Sequence, residues 1–122
     1  MTLYTGYFEK APLYAENYLV VCSIAQYNPS WFTGLSLKQL APDKYLLARY
    51  KANEISFGSF AKEFLVYLET VDFEPIFEQL EQICDEYSGV VLCCYEKPNQ
   101  FCHRHLVASY LNSHFQLGVK EI

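Results

Sequence analysis

The chain has 122 residues, of which 52% are hydrophobic and 19% are charged, a balance that is typical of a globular protein and excludes a disordered one. Its length predicts one domain, residues 1–122, with a single well-buried core. Fourteen acidic residues against nine basic ones give a net charge of −5, which disfavours attraction of nucleic acid over the whole surface.

The cysteines and the apolar runs bear on where the protein resides. Five cysteines are an odd number, so at least one thiol stays outside any internal disulfide. Three of them lie within apolar runs and are expected to be buried, namely Cys22, Cys84 and Cys93. Residues 1–4 lack the basic start of a signal peptide, and no apolar run is long enough to span a membrane. We therefore expect a cytoplasmic protein with reduced thiols and no membrane partner.

Two strands are predicted near the start of the chain, at residues 3–8 and 18–25. The second is continuously apolar, as expected for a strand that is covered on both faces in a parallel sheet. A short connection at residues 9–17, broken by Pro12, separates them. A long irregular segment follows at residues 26–41.

Three helices are predicted next. Pro42 opens the first, which is expected to bury Tyr45 and Leu46. Ser56 is a good N-cap for the second, whose apolar residues recur with the i, i+3, i+4, i+7 spacing of one buried face: Phe57, Phe60, Ala61, Phe64, Leu65, Leu68 and Val71. Pro75 begins the third, which is expected to bury Ile76, Phe77, Leu80, Ile83, Cys84 and Tyr87.

The last part of the chain completes the predicted sheet. Gly89 is expected to close the third helix, and a β-branched run predicts a strand at residues 90–94. Asn99 can cap a last helix at residues 100–115, and residues 118–122 can add a short strand. This order predicts a small three-layer α/β domain with a mostly parallel sheet of about four strands flanked by helices.

The polar residues concentrate between the third strand and the last helix, at residues 93–105. A strand-to-helix joint in an α/β fold lies at the carboxyl edge of the sheet, where ligands usually bind. On a helical wheel, His103 falls on the buried stripe, whereas His105 falls nearly opposite. Cys102 lies in the first helical turn, where free N–H groups and the helix dipole make a thiol a better nucleophile. Arg104 and Lys97 would strengthen that effect and could bind an anion.

Less specific interpretations of these residues stay open. Cys102 can be a packing residue, and His103 can be a core-edge histidine that bonds to a carbonyl group. Cys94, Cys102 and His103 offer three ligands for zinc, but their spacing matches no common zinc pattern. Glu96 and Lys97 can form an exposed loop ion pair of little energetic weight.

Other residues are expected at the same edge of the sheet. Ser23 ends the second strand, but no Gly-x-Ser-x-Gly elbow surrounds it, which disfavours a hydrolase nucleophile. Trp31 and Phe32 could stack on a planar ligand or plug the top of the core. Gly6 would allow close approach of the backbone to a ligand. No Walker loop or dinucleotide-binding glycine fingerprint is present, and no cofactor is predicted.

The sequence resembles the family catalogued as DUF488, a domain of unknown function. The residues that carry the resemblance are LCCYEKP at 92–98 and FCHRHLVA at 101–108, with further matches at residues 4–7, 23–25, 40–42 and 50–51. The resemblance implies a small α/β domain without a settled activity. It also implies a site at Cys94, Glu96, Cys102, His103 and Arg104. The Asp-x-Arg that many members carry after the second strand is absent here.

Two functional hypotheses follow. The first is an enzyme or binding domain for a small anionic or nucleotide-like ligand, with Cys102 and His103 as catalytic residues. Its ligand-binding residues would be Arg104, Glu96, Lys97, Cys94, Gly6, Ser23 and Trp31. The alternative is a non-catalytic interaction module associated with nucleic-acid processing, with contacts from Trp31, Phe32, Arg104 and His105.

Overall fold

A computed structural model describes residues 1–97 and 102–122. Its strands form one parallel sheet in the order β2-β3-β1-β4. The strands are β1 (Leu3–Tyr7), β2 (Leu19–Ser23), β3 (Gly89–Cys94) and β4 (Lys120–Glu121). The predicted fold class, a small three-layer α/β domain with a mostly parallel sheet, is confirmed.

Helices lie on both faces of this sheet. They are α1 (Ala11–Glu16), α2 (Lys44–Lys51), α3 (Phe57–Leu68), α4 (Glu74–Glu86) and α5 (His103–Phe115). Alternate residues of β3 point to opposite faces. Val90 and Leu92 join a large core with the inner sides of α2 to α5, and Val91 and Cys93 join a smaller core on the side of α1. No helix in the described part of the chain has the length and apolar character that a membrane crossing requires.

The predicted helix signals are partly confirmed. The Ser56 hydroxyl accepts a hydrogen bond from the Ser59 N–H at 3.1 Å and caps α3 as expected. α2 is capped by Asp43, which accepts from the Leu46 N–H at 2.8 Å, so it begins two residues after Pro42. α5 begins at His103 with Cys102 as its N-cap residue. The predicted cap Asn99 lies outside the described residues.

Two predictions at proline and glycine residues are wrong. Pro12 does not break the first connection, because it occupies the first turn of α1, where a missing N–H costs no hydrogen bond. Gly89 does not close α4, which ends at Glu86. It begins β3 instead, and a Cβ at this position would lie 2.9 Å from the Thr2 carbonyl oxygen.

Three predicted core residues lie at the surface, and one of them, Phe57 at the start of α3, is 48% exposed. Tyr45 is 74% exposed and lies under the Arg49 guanidinium, 5.3 Å from the ring centroid, while its neighbour Leu46 is buried as predicted. Tyr87 is 40% exposed and packs against the ring of Tyr18 at 4.8 Å. All three lie at or beside a helix end, at the end of the buried stripe of that helix.

Gly6 of β1 leaves room for an aromatic ring. A Cβ at this position would overlap the Tyr14 hydroxyl and lie 2.7 Å from Tyr14 Cζ. We expect Gly6→Ala to lower the free energy of unfolding by about 1–3 kcal/mol, since overpacking forces the ring to move. Urea denaturation measures this difference.

Gly58 in the first turn of α3 is the matched control. The nearest atom to a Cβ there is Ser56 Oγ at 3.9 Å, so Gly58→Ala is expected to be neutral or to stabilise by about 0.5 kcal/mol. Equal effects of the two substitutions would contradict the packing role of Gly6.

Candidate functional site

The carboxyl ends of β1, β2 and β3 meet at one edge of the sheet. Cys94 ends β3 and is paired in register with Tyr7, the last residue of β1. The chain enters α5 at Cys102, and the helix begins with His103. The predicted joint between strand and helix therefore lies where ligands of parallel α/β folds bind.

Cys94 and Cys102 are joined by a disulfide, which differs from the predicted reduced thiols. Their Cα atoms are 7.2 Å apart, and the two residues are 1% and 3% exposed. The remaining three cysteines are free, where the odd number requires at least one; Cys22 and Cys93 are fully buried, and Cys84 is partly buried. The two sulfurs that the sequence places in the polar cluster are thus bonded to each other.

His103 points inward, as the helical wheel predicts, and is 8% exposed. Its Nε2 lies 2.5 Å from the Ile24 carbonyl oxygen, so Nε2 carries the ring proton and donates a hydrogen bond to that oxygen. Nδ1 then presents a lone pair and lies 3.7 Å from Cys102 Sγ. The ring meets Phe64 edge-on, with 5.6 Å between centroids. These contacts fix both the tautomer and the direction of the free nitrogen.

The His103 imidazole is neutral at pH 7. Burial lowers its pKa to about 4, because the charged ring would lose its solvation. The hydrogen bond to Ile24 opposes this change, and the positive charges of Arg104 and His105 add to it. Near neutral pH the ring is therefore uncharged, and Nδ1 is able to accept a hydrogen bond.

Arg104 is fully buried, although the sequence suggests a clamp for a ligand. Its Nε and Nη2 donate to the Glu121 carboxylate at 3.1 and 2.8 Å. Its Nη1 donates to the Glu96 carbonyl oxygen at 2.6 Å and to Cys94 Sγ at 3.1 Å. The guanidinium therefore ties β3, β4 and α5 together beneath the site.

Glu121 on β4 is the partner that sequence analysis misses. The Thr5 hydroxyl on β1 also donates to it, at 2.6 Å. Burial raises the pKa of Glu121, but the hydrogen bonds from Arg104 and Thr5 and the charge of Arg104 outweigh burial and hold the pKa below its ordinary value. The pairing depends on β4 lying beside β1, which no local pattern predicts.

A cleft of about 70 Å³ reaches this cluster. Cys94, Glu96 and His103 line it on one side, whereas Cys102 and Arg104 do not line it. The remaining lining residues are Ala25, Gln26, Tyr27, Pro42, Leu47, Lys51 and Tyr95. Of the predicted site residues, the cleft thus gathers three.

The predicted site residues Ser23 and Gly6 have structural partners. Ser23 is fully buried; its hydroxyl donates to Asn28 Oδ1 at 2.5 Å and accepts from the Ala25 N–H at 3.2 Å. Gly6 faces the ring of Tyr14. Neither residue lines the cleft.

Trp31 and Lys97 also lie away from the cleft. Trp31 is 57% exposed, meets the Phe8 ring at 6.0 Å and lines a separate groove with Phe8 and Pro12. Its neighbour Phe32 packs against the smaller core. Lys97 lies 4.0 Å from the carboxylate of Glu9, an exposed pair that contributes little to stability.

Lys51 is a cleft residue that is absent from the predicted site. It ends α2 and brings a positive charge to the cleft wall. The segments that carry the family resemblance could have indicated Lys51. Ala25, Pro42 and Lys51 all fall within short segments that match the family pattern, and all three line the cleft.

Within the described ranges, a single group of three or more Cys, His, Asp or Glu side chains has the spacing of metal ligands. It consists of Cys94, Cys102 and His103, whose ligand atoms all lie within 4.8 Å of one another.

Comparison with known protein families gives a match that covers about two thirds of the chain. A family model described as domain of unknown function DUF488 matches residues 32–111. The match includes Cys94, Cys102, His103 and Arg104, and it ends before Glu121. Neither the curated proteins nor the solved structures include a significant match.

Proposed function

The chain belongs to the family of domains of unknown function DUF488, and from that premise we propose that it binds a small anion in the cleft beside Cys94 and His103. In this proposal the reduced Cys94 thiol is the reactive group. One observation carries the proposal: the cleft at the carboxyl edge of the sheet ends on the buried Cys94 and His103 side chains.

The size of the cleft favours a compact ligand. A volume of about 70 Å³ is small beside the roughly 300–1,000 Å³ of a typical small-molecule pocket. It suits a phosphate or a carboxylate group and is too small for a whole nucleotide. Exposed rings of Tyr27 and Tyr95 border the cleft and could stack on a planar group attached to the anion.

The charges around the cleft favour an anion. Lys51 lines the wall, and Lys38 Nζ donates to the carbonyl oxygens of Ala25 and Gln26 at the rim. Glu96 is the one carboxylate among the lining residues that the structure describes, and His103 is neutral at pH 7. Two ammonium groups against one carboxylate leave a local excess of positive charge.

The geometry favours Cys94 over Cys102 as the reactive thiol. Arg104 donates to Cys94 Sγ at 3.1 Å, and a buried cation at this distance favours a thiolate. Cys94 also lines the cleft, which Cys102 does not. In the reduced protein, the Cys102 thiol would donate a hydrogen bond to His103 Nδ1. These two residues would then hold each other in position beside Cys94.

We place this activity in a reducing compartment such as the cytoplasm. Three thiols of the chain are free, and a glutathione pool would convert Cys94–Cys102 to the dithiol. The dithiol is the form in which the proposed site acts.

Alkylation of the reduced, chelator-treated protein tests the proposal. Iodoacetate is a small anion and iodoacetamide is its neutral analogue, so an anion-binding cleft should favour iodoacetate at Cys94. We expect Lys51→Gln to lower that preference about tenfold, the factor that corresponds to about 1.4 kcal/mol of charge-assisted contact. Peptide mass spectrometry measures the two rates at each cysteine.

Cys84, a partly buried free thiol on α4, is the internal control and should show no preference for iodoacetate. Inorganic phosphate should protect Cys94 but not Cys84, and adenosine monophosphate should protect better than phosphate if the tyrosine rings hold a base. Equal reaction of Cys94 with both reagents, without protection by phosphate, would refute anion binding in the cleft.

A further inference from the structure

We propose that the reduced form of this site binds one zinc ion through Cys94, Cys102 and His103, with a fourth coordination position open to the cleft. The proposal does not depend on anion binding, because it rests on the three ligand atoms alone. Two molecules of a cellular thiol reduce the disulfide: they supply two electrons and two protons, leave as their own disulfide, and convert Cys94–Cys102 to two thiols. Zinc binding then releases those two protons, because both ligands coordinate as thiolates.

One of the ligand distances already fits a tetrahedral ion, and the two sulfurs, which are bonded to each other here, would separate on reduction. Zn–S bonds of about 2.3 Å and Zn–N bonds of about 2.0 Å place neighbouring ligand atoms about 3.6–3.8 Å apart. Cys102 Sγ and His103 Nδ1 are 3.7 Å apart, which is within this range. The Cα atoms of Cys94 and Cys102 are 7.2 Å apart, beyond the roughly 4.4–6.8 Å usual for a disulfide, so the two thiols have room to move apart and admit an ion once the disulfide is reduced.

His103 is held as a metal-ligating histidine usually is. A ligating imidazole commonly donates its other N–H to a carbonyl or carboxylate group, which fixes the tautomer and the direction of the free lone pair. Here Nε2 meets the Ile24 carbonyl oxygen at 2.5 Å, and Nδ1 faces Cys102 Sγ. A core histidine that only satisfied a carbonyl would not need its second nitrogen directed at a cysteine sulfur.

Arg104 supplies the outer support for the thiolates. Its Nη1 donates to Cys94 Sγ at 3.1 Å while its charge is balanced by Glu121. A doubly charged cation with two thiolates is neutral overall, which a buried site tolerates. The ligand set is soft, and two thiolates with one imidazole select zinc over the harder magnesium or calcium ions.

The fourth position would face the cleft. Cys94 and His103 line the cleft, and no carboxylate of the described residues joins the ligand group. Three protein ligands with one open position are the pattern of zinc sites that bind a water or a substrate, whereas structural sites use four protein ligands.

Cobalt titration of the reduced protein tests this site. Cobalt(II) is the spectroscopic substitute for zinc. We expect one ion per chain, with a thiolate-to-cobalt charge-transfer band whose intensity corresponds to two thiolate ligands. Zinc should displace it with the same stoichiometry. We expect Cys102→Ser to weaken zinc binding at least about 100-fold, the upper end of the effect of losing only an outer-shell partner.

Cys102→Ser is suited to this test because serine is a favoured N-cap residue, so α5 should retain its start. Cys84→Ser is the matched control and should bind cobalt like the unmodified chain. A reduced chain that takes up no cobalt or zinc, or a Cys102→Ser variant that binds with unchanged affinity, overturns the proposal. Neither result affects the alkylation test of the anion site, which uses metal-free protein.

Discussion

Replacing Glu121 with glutamine is expected to lower the free energy of unfolding by about 3 kcal/mol. The substitution keeps the size of the side chain but leaves Arg104, which is fully buried, without its carboxylate. Removal of one partner from a buried ion pair costs about 3–5 kcal/mol, and the lower end applies because the Glu121 side chain is 26% exposed. Urea denaturation measures the difference.

The exposed pair between Arg49 and Glu63 is the matched control. Its atoms are 3.1 Å apart, and its side chains are 25% and 46% exposed. Glu63→Gln is therefore expected to cost at most about 1 kcal/mol. If Glu121→Gln cost no more than this, the buried guanidinium would not depend on its carboxylate.

The pH dependence of the Glu121→Gln difference in unfolding free energy tests whether the ion pair between Arg104 and Glu121 causes it. The pKa of Glu121 is lower in the folded protein than its ordinary value of 4.5. Such a carboxyl group contributes its full stabilisation above the ordinary value and loses it as the pH falls through the lowered folded-state pKa. The difference between the two proteins should therefore be constant at neutral pH and shrink below about pH 4.5.

Phe64→Ala is expected to lower the free energy of unfolding by about 3–5 kcal/mol. Phe64 is fully buried on α3, and its loss would leave a cavity between this helix and α5. The same ring packs against His103, with 5.6 Å between the centroids. Denaturation in urea gives the magnitude, and the cobalt spectrum shows whether the imidazole keeps its direction.

Val66→Ala on the same helix is the control for Phe64→Ala. Val66 is 55% exposed, and its truncation should change stability by no more than about 0.5 kcal/mol. A similarly small effect at Phe64 would mean that the core closes around the lost ring, contrary to the prediction.

Several elements follow from local patterns alone. The β-branched run at residues 90–92 predicts a buried strand, and β3 is buried along its length. The spacing of Phe60, Phe64 and Leu68 predicts the inner face of α3, and all three are buried. The same helical periodicity predicts that His103 points inward. These predictions succeed because burial and a repeat of 3.6 or 2 residues are properties of a short segment.

Other predictions failed where a residue has two structural uses. Proline breaks a helix in its interior but fits the first turn, and the local sequence around Pro12 does not distinguish these positions. Glycine can close a helix or allow a close backbone approach, and Gly89 does the second. The position of Thr2 on the neighbouring segment decides between these two uses of Gly89, because a Cβ there would lie too close to the Thr2 carbonyl oxygen.

Short segments of the sequence predict the kind of fold and four chemical groups of the candidate site, because both depend on residues that are near one another in the chain. Cys94, Cys102, His103 and Arg104 lie close together in the chain. The tertiary structure alone decided what each group does: it buries Arg104 against Glu121 and directs His103 Nδ1 to Cys102. It also adds Lys51 to the cleft. These contacts depend on strand register and helix packing between distant segments, and no local pattern carries that information.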